Sequence, residues 1–418
     1  MKNYKTRLIE PIISQQLKIM GGVLIEGPKW SGKSTTGALF AKTIVKLQDP
    51  SVFSAYKMFS LTDKIPLLDG EKPLMFDEWQ KIPEIWDYIR MDIDDTNSRG
   101  RYILTGSAKP VKDVDRHTGT GRIVKIKMRP MSLYESKHSN GGVSLLSLFD
   151  NEDISLVESK LTIFDLADLI CRGGWPGSLD LDINEAIIFA KNYYLTLTSE
   201  DIVGVDGVKR DAKRTRLILK SFSRNIAAQT PYTTIINDIR RNDENISSET
   251  FYSYIRALEQ LFIIDNVSSW SPNLRSKASI RTTDKRQLID PSLGAAAIGA
   301  YPKDLLNDVN TFGLLFESLC LRDLSVYIEA LSGEISHYRD SDGLEVDAIV
   351  HLSDGRWGAI EIKLGGDNHE KGAKNLLSLK NKVDEIKEPS FLMILTGTKQ
   401  AYKRKDGVFV IPIGCLKP

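Results

Sequence analysis

Gly27-Pro28-Lys29-Trp30-Ser31-Gly32-Lys33-Ser34 sets two glycines, a lysine and a hydroxyl at the spacing of a phosphate-binding loop. In such a loop successive backbone N–H groups turn inward around phosphate oxygens, and the following helix adds partial positive charge. Lys33 is expected on the β- and γ-phosphates of ATP and the Ser34 hydroxyl in a Mg²⁺ shell. Gly27, Pro28, Trp30, Ser31, Gly32 and Thr35 complete the cradle. Asp77-Glu78 closes the apolar run Pro73-Leu-Met-Phe. There Asp77 can hold Mg²⁺ and Glu78 can polarise an attacking water, unless Asp77 merely caps a helix beginning near Trp79. Thr105 and Ser107, in Arg101-Tyr-Ile-Leu-Thr-Gly-Ser107, are candidates for bonding the γ-phosphate or that water, or for a plain turn. Arg122 ends the stretch His117-Thr-Gly-Thr-Gly and can offset phosphoryl charge in its own subunit or a neighbour's, unless it is surface decoration.

These residues need a scaffold, and the flanking sequence supplies it. Val23-Leu24-Ile25 reads as a buried strand before the loop, and residues 35–45 read as a helix after it. Repetition of strand and helix predicts an α/β, doubly wound parallel sheet of the P-loop NTPase kind. A chain of 418 residues should hold two or three domains. The expected division is an ATPase core over 1–142, a helical lid or linker over 143–205, a third module over 206–300 and a last domain over 301–418. With 41% hydrophobic and 27% charged residues and a net charge of +1, the composition is that of an ordinary globular protein. Cys171, Cys320 and Cys415 form no CxxC pair, which suits a reducing cytoplasm. The polar N-terminus and the short apolar stretches predict neither a signal peptide nor a membrane span.

Residues 205–241 hold nine basic residues against three acidic ones, in a nearly neutral chain. Phe251, Tyr254, Ile255, Leu258 and Leu261 then recur at helical spacing, and residues 271–286 form a polar turn with five more basic residues. Helices followed by a basic hairpin outline a winged-helix-like module. Its second helix would enter a DNA groove and its wing would touch phosphates, DNA being preferred to RNA. Protein contact is the competing use of such a module.

Near the C-terminus, residues 342–364 read as a hairpin around Ser353-Asp354-Gly355. A three-residue loop pairs Leu352 with Arg356 and sets Asp347 opposite Glu361; a two-residue loop would split them across the sheet. Alternation favours the first register, which gathers Val346, Ala348, Val350, Ile360, Ile362 and Leu364 on one face. Two adjacent carboxylates repel, so a divalent cation or Lys363 must relieve them. With Glu317 on a preceding helix, Asp347, Glu361 and Lys363 resemble the PD-(D/E)xK nuclease core, Val346 standing in place of the proline. That resemblance implies a restriction-endonuclease-like α/β domain with Glu317, Asp347 and Glu361 as Mg²⁺ ligands and Lys363 assisting.

GPKWSGKST, LMFDEWQKIP, RYILTGSA, Gly121-Arg122, RPMSLYE and Gly173-Gly174-Trp175-Pro176 together resemble the prokaryotic AAA-type ATPases that end in a domain of unknown function, number 4143. HTGTGR departs from that family's more helical segment. Read together, the three parts predict ATP hydrolysis coupled to nucleic-acid binding and metal-dependent cleavage. The alternative is an ATP-gated protein-interaction switch with a silent nuclease-like domain. Assembly into a homo-oligomer is compatible with both.

Overall fold

Five short strands organise the first part of the chain: β1 (Gly22–Glu26), β2 (Thr43–Lys46), β3 (Leu74–Asp77), β4 (Tyr102–Gly106) and β5 (Ile123–Lys127). The computed structural model describes residues 4–62, 64–108, 118–271, 282–383 and 388–418. All five strands run parallel in the order β2-β3-β4-β1-β5. Both faces of the sheet are covered, which is why the strands read as unbroken apolar runs. Leu24, Phe76 and Leu104 pack with Trp79, Trp86 and Ile89. On the other face Val23, Ile25, Met75 and Ile103 meet Ile13 of the helix Glu10–Ile19. Glu26, Asp77 and Gly106 therefore end their strands at one edge, where a parallel sheet presents its chemistry. One expected element differs. The helix after the phosphate loop stops at Ala38, and Thr43–Lys46 pairs with β3 instead of continuing it. The β-branched run Thr43-Ile44-Val45 favours a strand.

Three helices, Ala212–Arg224, Tyr232–Arg240 and Ser248–Gln260, build the middle. Ser247 caps the third through Thr250 N–H, and Phe251, Tyr254, Ile255 and Leu258 are its buried stripe. The chain returns through antiparallel bridges Ile264↔Leu288 and Val267↔Lys285. Residues 272–281 of the expected wing, with Arg275, Lys277 and Arg281, lie outside the described residues, as does His117. Lys285 and Arg286 are buried rather than presented to a polyanion.

A mixed seven-stranded sheet ends the chain. Its strands are β7 (Val157–Glu158), β8 (Gly333–Arg339), β9 (Glu345–Leu352), β10 (Trp357–Lys363), β11 (Phe391–Thr396), β12 (Gln400–Lys403) and β13 (Phe409–Pro412), in the order β7-β12-β13-β11-β10-β9-β8. The helix Val309–Ala330 packs on one face with Ala348, Val350 and Ile360. The helix His369–Lys382 packs on the other with Ile349, Ala359 and Ile394. Residues 143–158, expected to open a lid or linker, instead supply β6 (Val143–Ser144), paired with β14 (Leu416–Lys417), and the edge strand β7. The hairpin adopts the three-residue register: Trp357↔His351 through Ile360↔Ala348, with Gly355 at φ +92°. Val346 departs from the expected face and joins Ile349 and Tyr338, beside a register shift in β8.

A single apolar cluster runs from Trp175 and Phe222 through Phe251 to Phe316, Ile360 and Ile411. The middle and last parts are thus packed as one body. Among the described residues no helix is long and apolar enough to cross a membrane.

Candidate functional site

The loop after β1 is shaped by backbone that only glycine tolerates. Gly27 sits at φ +153°, where an added Cβ would lie 2.2 Å from the Met128 carbonyl oxygen, and Gly32 sits at φ +99°. Ser31 is fully buried, its hydroxyl donating to Pro28 O at 3.0 Å. Lys33 is buried and donates to the same carbonyl at 2.7 Å. Burial lowers its pKa to about 8, with Glu78 and Asp77 pulling the other way. An ammonium held by one carbonyl is ready to exchange it for phosphate oxygens.

Asp77 and Glu78 close the far side of this loop. Asp77 accepts from Ser34 Oγ at 2.5 Å and from Thr105 Oγ1 at 2.6 Å. A hydroxyl and a carboxylate side by side are the hard oxygen donors that suit Mg²⁺. Glu78 adopts φ +59° and accepts from Ser107 Oγ at 2.8 Å and from Gln80 Nε2. Neither acid is spent as a cap, because the turn Trp79–Lys81 has no side-chain cap. Thr105, expected to face the phosphate, is fully buried and holds Asp77 instead. Lys33, Ser34, Glu78 and Ser107 share a cleft of about 910 Å³ with Lys29, Trp30, Gly32 and Thr35.

Arg122 is not part of that cleft. Its carbonyl accepts from Gly22 N–H, at the start of β1, whereas the phosphate loop follows Glu26. The intervening strand spans about 13 Å at roughly 3.3 Å per residue. Its guanidinium pairs with Asp94 at 2.6 Å. Arg122 therefore lies at the opposite end of β1 from the phosphate loop of its own chain, with its guanidinium on Asp94.

Three braces that the motif alone does not announce hold the loop. Arg7, buried, donates to Ser31 O and Arg129 O, each at 2.7 Å, and pairs with Glu135 at 2.9 Å. Lys29 pairs with Asp201 at 2.6 Å, in the π-helical turn Leu197–Asp201. Trp30, at φ +61° and 64% exposed, sets its ring edge-on to Phe189 of the helix Ile183–Thr196. Pro176 and Gly177 also line the cleft. Just before them, Gly174 N–H donates to Asp290 and its carbonyl accepts from Met131 N–H; a Cβ there would lie 2.2 Å from Met131 O. Asp290 pairs with Arg322 of the helix Val309–Ala330, and Asp323 beside it accepts from Leu133 N–H. RPMSLYE thus fastens the first sheet to the rest of the chain. Within it Arg129 pairs with Asp265 and Glu329.

The basic middle is sorted by folding. Arg210 pairs with Asp206, and Arg214 with Asp243. Lys213, Arg216, Lys220 and Arg224 remain exposed at helical spacing on Ala212–Arg224, Arg224 while also paired with Asp238 at 3.6 Å. The third helix, Ser248–Gln260, exposes Glu249 and Glu259 beside Arg256 and Tyr252, a face without net positive charge. Positive charge lies along the first helix and at the end of the second, where Arg240 and Arg241 are also exposed.

The C-terminal acids do come together, but around ammonium groups. Lys285 Nζ donates to Glu317 Oε1 at 2.5 Å, Asp347 O at 3.1 Å and Asp347 Oδ1 at 3.4 Å. Lys363 Nζ pairs with Asp347 Oδ2 at 2.9 Å and Glu361 Oε2 at 2.6 Å. Ile362 N–H also donates to Asp347 Oδ2, at 2.8 Å. Burial and the neighbouring Asp347 push the Glu317 and Glu361 carboxyls up. Burial opposes ionisation of Asp347 too, but the two lysines hold its pKa down. Among the described residues no three His, Cys, Asp or Glu side chains are arranged to hold a metal ion. The expected Mg²⁺ ligation by Glu317, Asp347 and Glu361 does not fit these pairings.

Residues 21–137 match the family described as an AAA domain, and residues 312–416 match a domain of unknown function, DUF4143. Residues 163–304 between them match a further domain of unknown function, DUF8612. The chain thus carries an AAA domain followed by a DUF4143 domain, the pairing that GPKWSGKST, LMFDEWQKIP and RPMSLYE resemble. It is similar to the uncharacterized proteins Rv2008c of Mycobacterium tuberculosis and Mb2031c of Mycobacterium bovis. Each is 23% identical over 353 residues, covering 82% of this chain and 70% of the relative. Among solved structures, the Walker-type ATPase PABY2304 of Pyrococcus abyssi aligns at TM-score 0.40 and 15% identity, over 71% of this chain and 99% of that one. The signal-transduction ATPase PH0952 of Pyrococcus horikoshii, with a tetratricopeptide repeat sensor, aligns at TM-score 0.23 and 12% identity, over 79% and 48%.

Proposed function

We propose that this chain hydrolyses ATP at the Gly27–Ser34 loop and that its helical middle reads whether the loop is filled. The observation that carries this reading is the Lys29–Asp201 ion pair, which ties the phosphate loop itself to the next structural unit. Triphosphate oxygens compete with Asp201 for Lys29 and with Pro28 O for Lys33. Capture of ATP thus loosens the π-helical turn and strengthens the loop's hold on the ligand. Mg²⁺, when bound, would offset phosphate charge, and Ser34 and Asp77 are the residues that would hold it. Glu78, fixed by Ser107 and Gln80, polarises water at the γ-phosphate. Gly174, Asp290 and Arg322 offer a contiguous, buried route from beside the cleft to the helix Val309–Ala330. The test is phosphate release by the full chain with Mg²⁺. Lys33→Ala should reduce it at least about 10²-fold; equal release by both proteins would overturn the reading.

The last part is read here as a nuclease-like fold that does not cleave. The order helix–β8–β9–β10–helix–β11 and the positions of Asp347, Glu361 and Lys363 support the fold; the lysine pairings speak against cleavage. A second reading, that the switch acts on DNA, draws on the stripe Lys213, Arg216, Lys220 and Arg224.

A further inference from the structure

The carboxylate cluster of the last domain deepens the reading of that domain and is independent of the nucleotide reading. We infer that the Lys285 ammonium is the resident cation of this cluster, taking the place a divalent metal would need beside Glu317 and Asp347. An ammonium has three N–H donors. All three of Lys285 have acceptors here, two of them on Asp347 and one on Glu317. The remaining carboxylate oxygen of Asp347 is taken by Lys363 and Ile362 N–H. Glu361 is shared by Lys363 and Asn375. A metal entering this cluster must displace a lysine that is only 5% exposed.

Lys285 is not a wandering surface side chain. Its backbone is pinned to Val267 in both directions, at 2.9 and 3.0 Å. The next residue, Arg286, lies 3.7 Å over the Tyr232 ring and donates to Thr230 O at 2.8 Å. Gln287 then donates to Ser318 O at 2.9 Å, one residue from Glu317. A segment of the middle is thereby inserted against the last domain, and its lysine is delivered to the acids as part of the packing. The same lysine joins the two halves and closes the metal position. Removal of its charge, with the segment left in place, leaves the Glu317 and Asp347 carboxylates without their shared ammonium and open to a divalent ion, beside the Lys363–Glu361 pair.

The experiment is a Mn²⁺ titration of the nucleotide-free full chain, followed by calorimetry and by the electron paramagnetic resonance of free Mn²⁺. Wild type and Glu361→Gln should give the same isotherm, since any Mn²⁺ at the Ser34–Asp77 site is common to both. Lys285→Met should gain a site at least tenfold tighter, lost again in Lys285→Met/Glu361→Gln. A wild-type site that Glu361→Gln abolishes overturns the inference, as does a folded Lys285→Met protein that binds no better than wild type. Where Lys285→Met fails to fold, the wild-type and Glu361→Gln comparison decides alone. Mn²⁺-dependent nicking of DNA by wild type would overturn the silent-nuclease reading as well; a wild-type Mn²⁺ site that Glu361→Gln abolishes, without nicking, would overturn only the role of Lys285.

Discussion

Lys29 of the phosphate loop and Asp201 of the π-helical turn Leu197–Asp201 are ion-paired at 2.6 Å, although 172 residues separate them. The lysine is half-exposed and the aspartate mostly buried. The pair is therefore weak enough for phosphate to break and positioned well enough to report the break. Asp201→Asn removes the competitor for Lys29. A partly exposed pair contributes about 0.2–1 kcal/mol, so ATP should bind about 1.4- to 5-fold more tightly, measured by calorimetry.

Glu78 is held by Ser107 and Gln80 but bonds nothing on the phosphate loop. Glu78→Gln keeps the side chain's size and removes its basicity. Hydrolysis should fall about 10²- to 10⁴-fold, the usual range for a lost general base, while ATP affinity stays within a few-fold of wild type. Single-turnover phosphate release separates the two.

Lys33 has a pKa near 8 because it is buried. Phosphate favours its charged form, so ATP binding above about pH 8 should be accompanied by proton uptake, and binding near pH 6.5 should not. Calorimetry at pH 9 in buffers of different ionisation enthalpy reads this directly. The same shift has a stability consequence. The folded pKa lies below the unfolded value, so the cost of burying the charged lysine is full below about pH 8. It fades as pH rises toward the unfolded value, and Lys33 makes the free protein gain stability with pH across that window.

How much of this was legible beforehand follows from the range of the interactions. The loop and the two acids at the end of β3 are legible because each needs only local spacing and a buried strand. The Asp347–Glu361 register was legible because a one-residue slip would turn apolar side chains to the wrong face. Lys285 was counted as wing charge, since its burial depends on packing against Asp347, 62 residues away. Asp201 likewise carries no local signal, and the burial that turns Thr105 to Asp77 is a property of the sheet, which spacing does not show. Residues 35–45 do not form one helix because the β-branched run Thr43-Ile44-Val45 outweighs continuity.

The exposed stripe on Ala212–Arg224 separates the DNA reading from the protein-partner reading. Lys213→Glu, Arg216→Glu and Lys220→Glu together should abolish any mobility shift of duplex DNA seen at about 50 mM salt. A shift that survives the triple change would place contact elsewhere, and no shift by wild type would remove DNA.

Hydrogen–deuterium exchange of Glu78→Gln protein, with and without saturating ATP and Mg²⁺, tests the coupling most directly. The amides of residues 197–204 should exchange several-fold faster with ATP bound, because Lys29 has left Asp201. Unchanged exchange there, in a sample whose phosphate loop is visibly protected by ATP, would contradict the account.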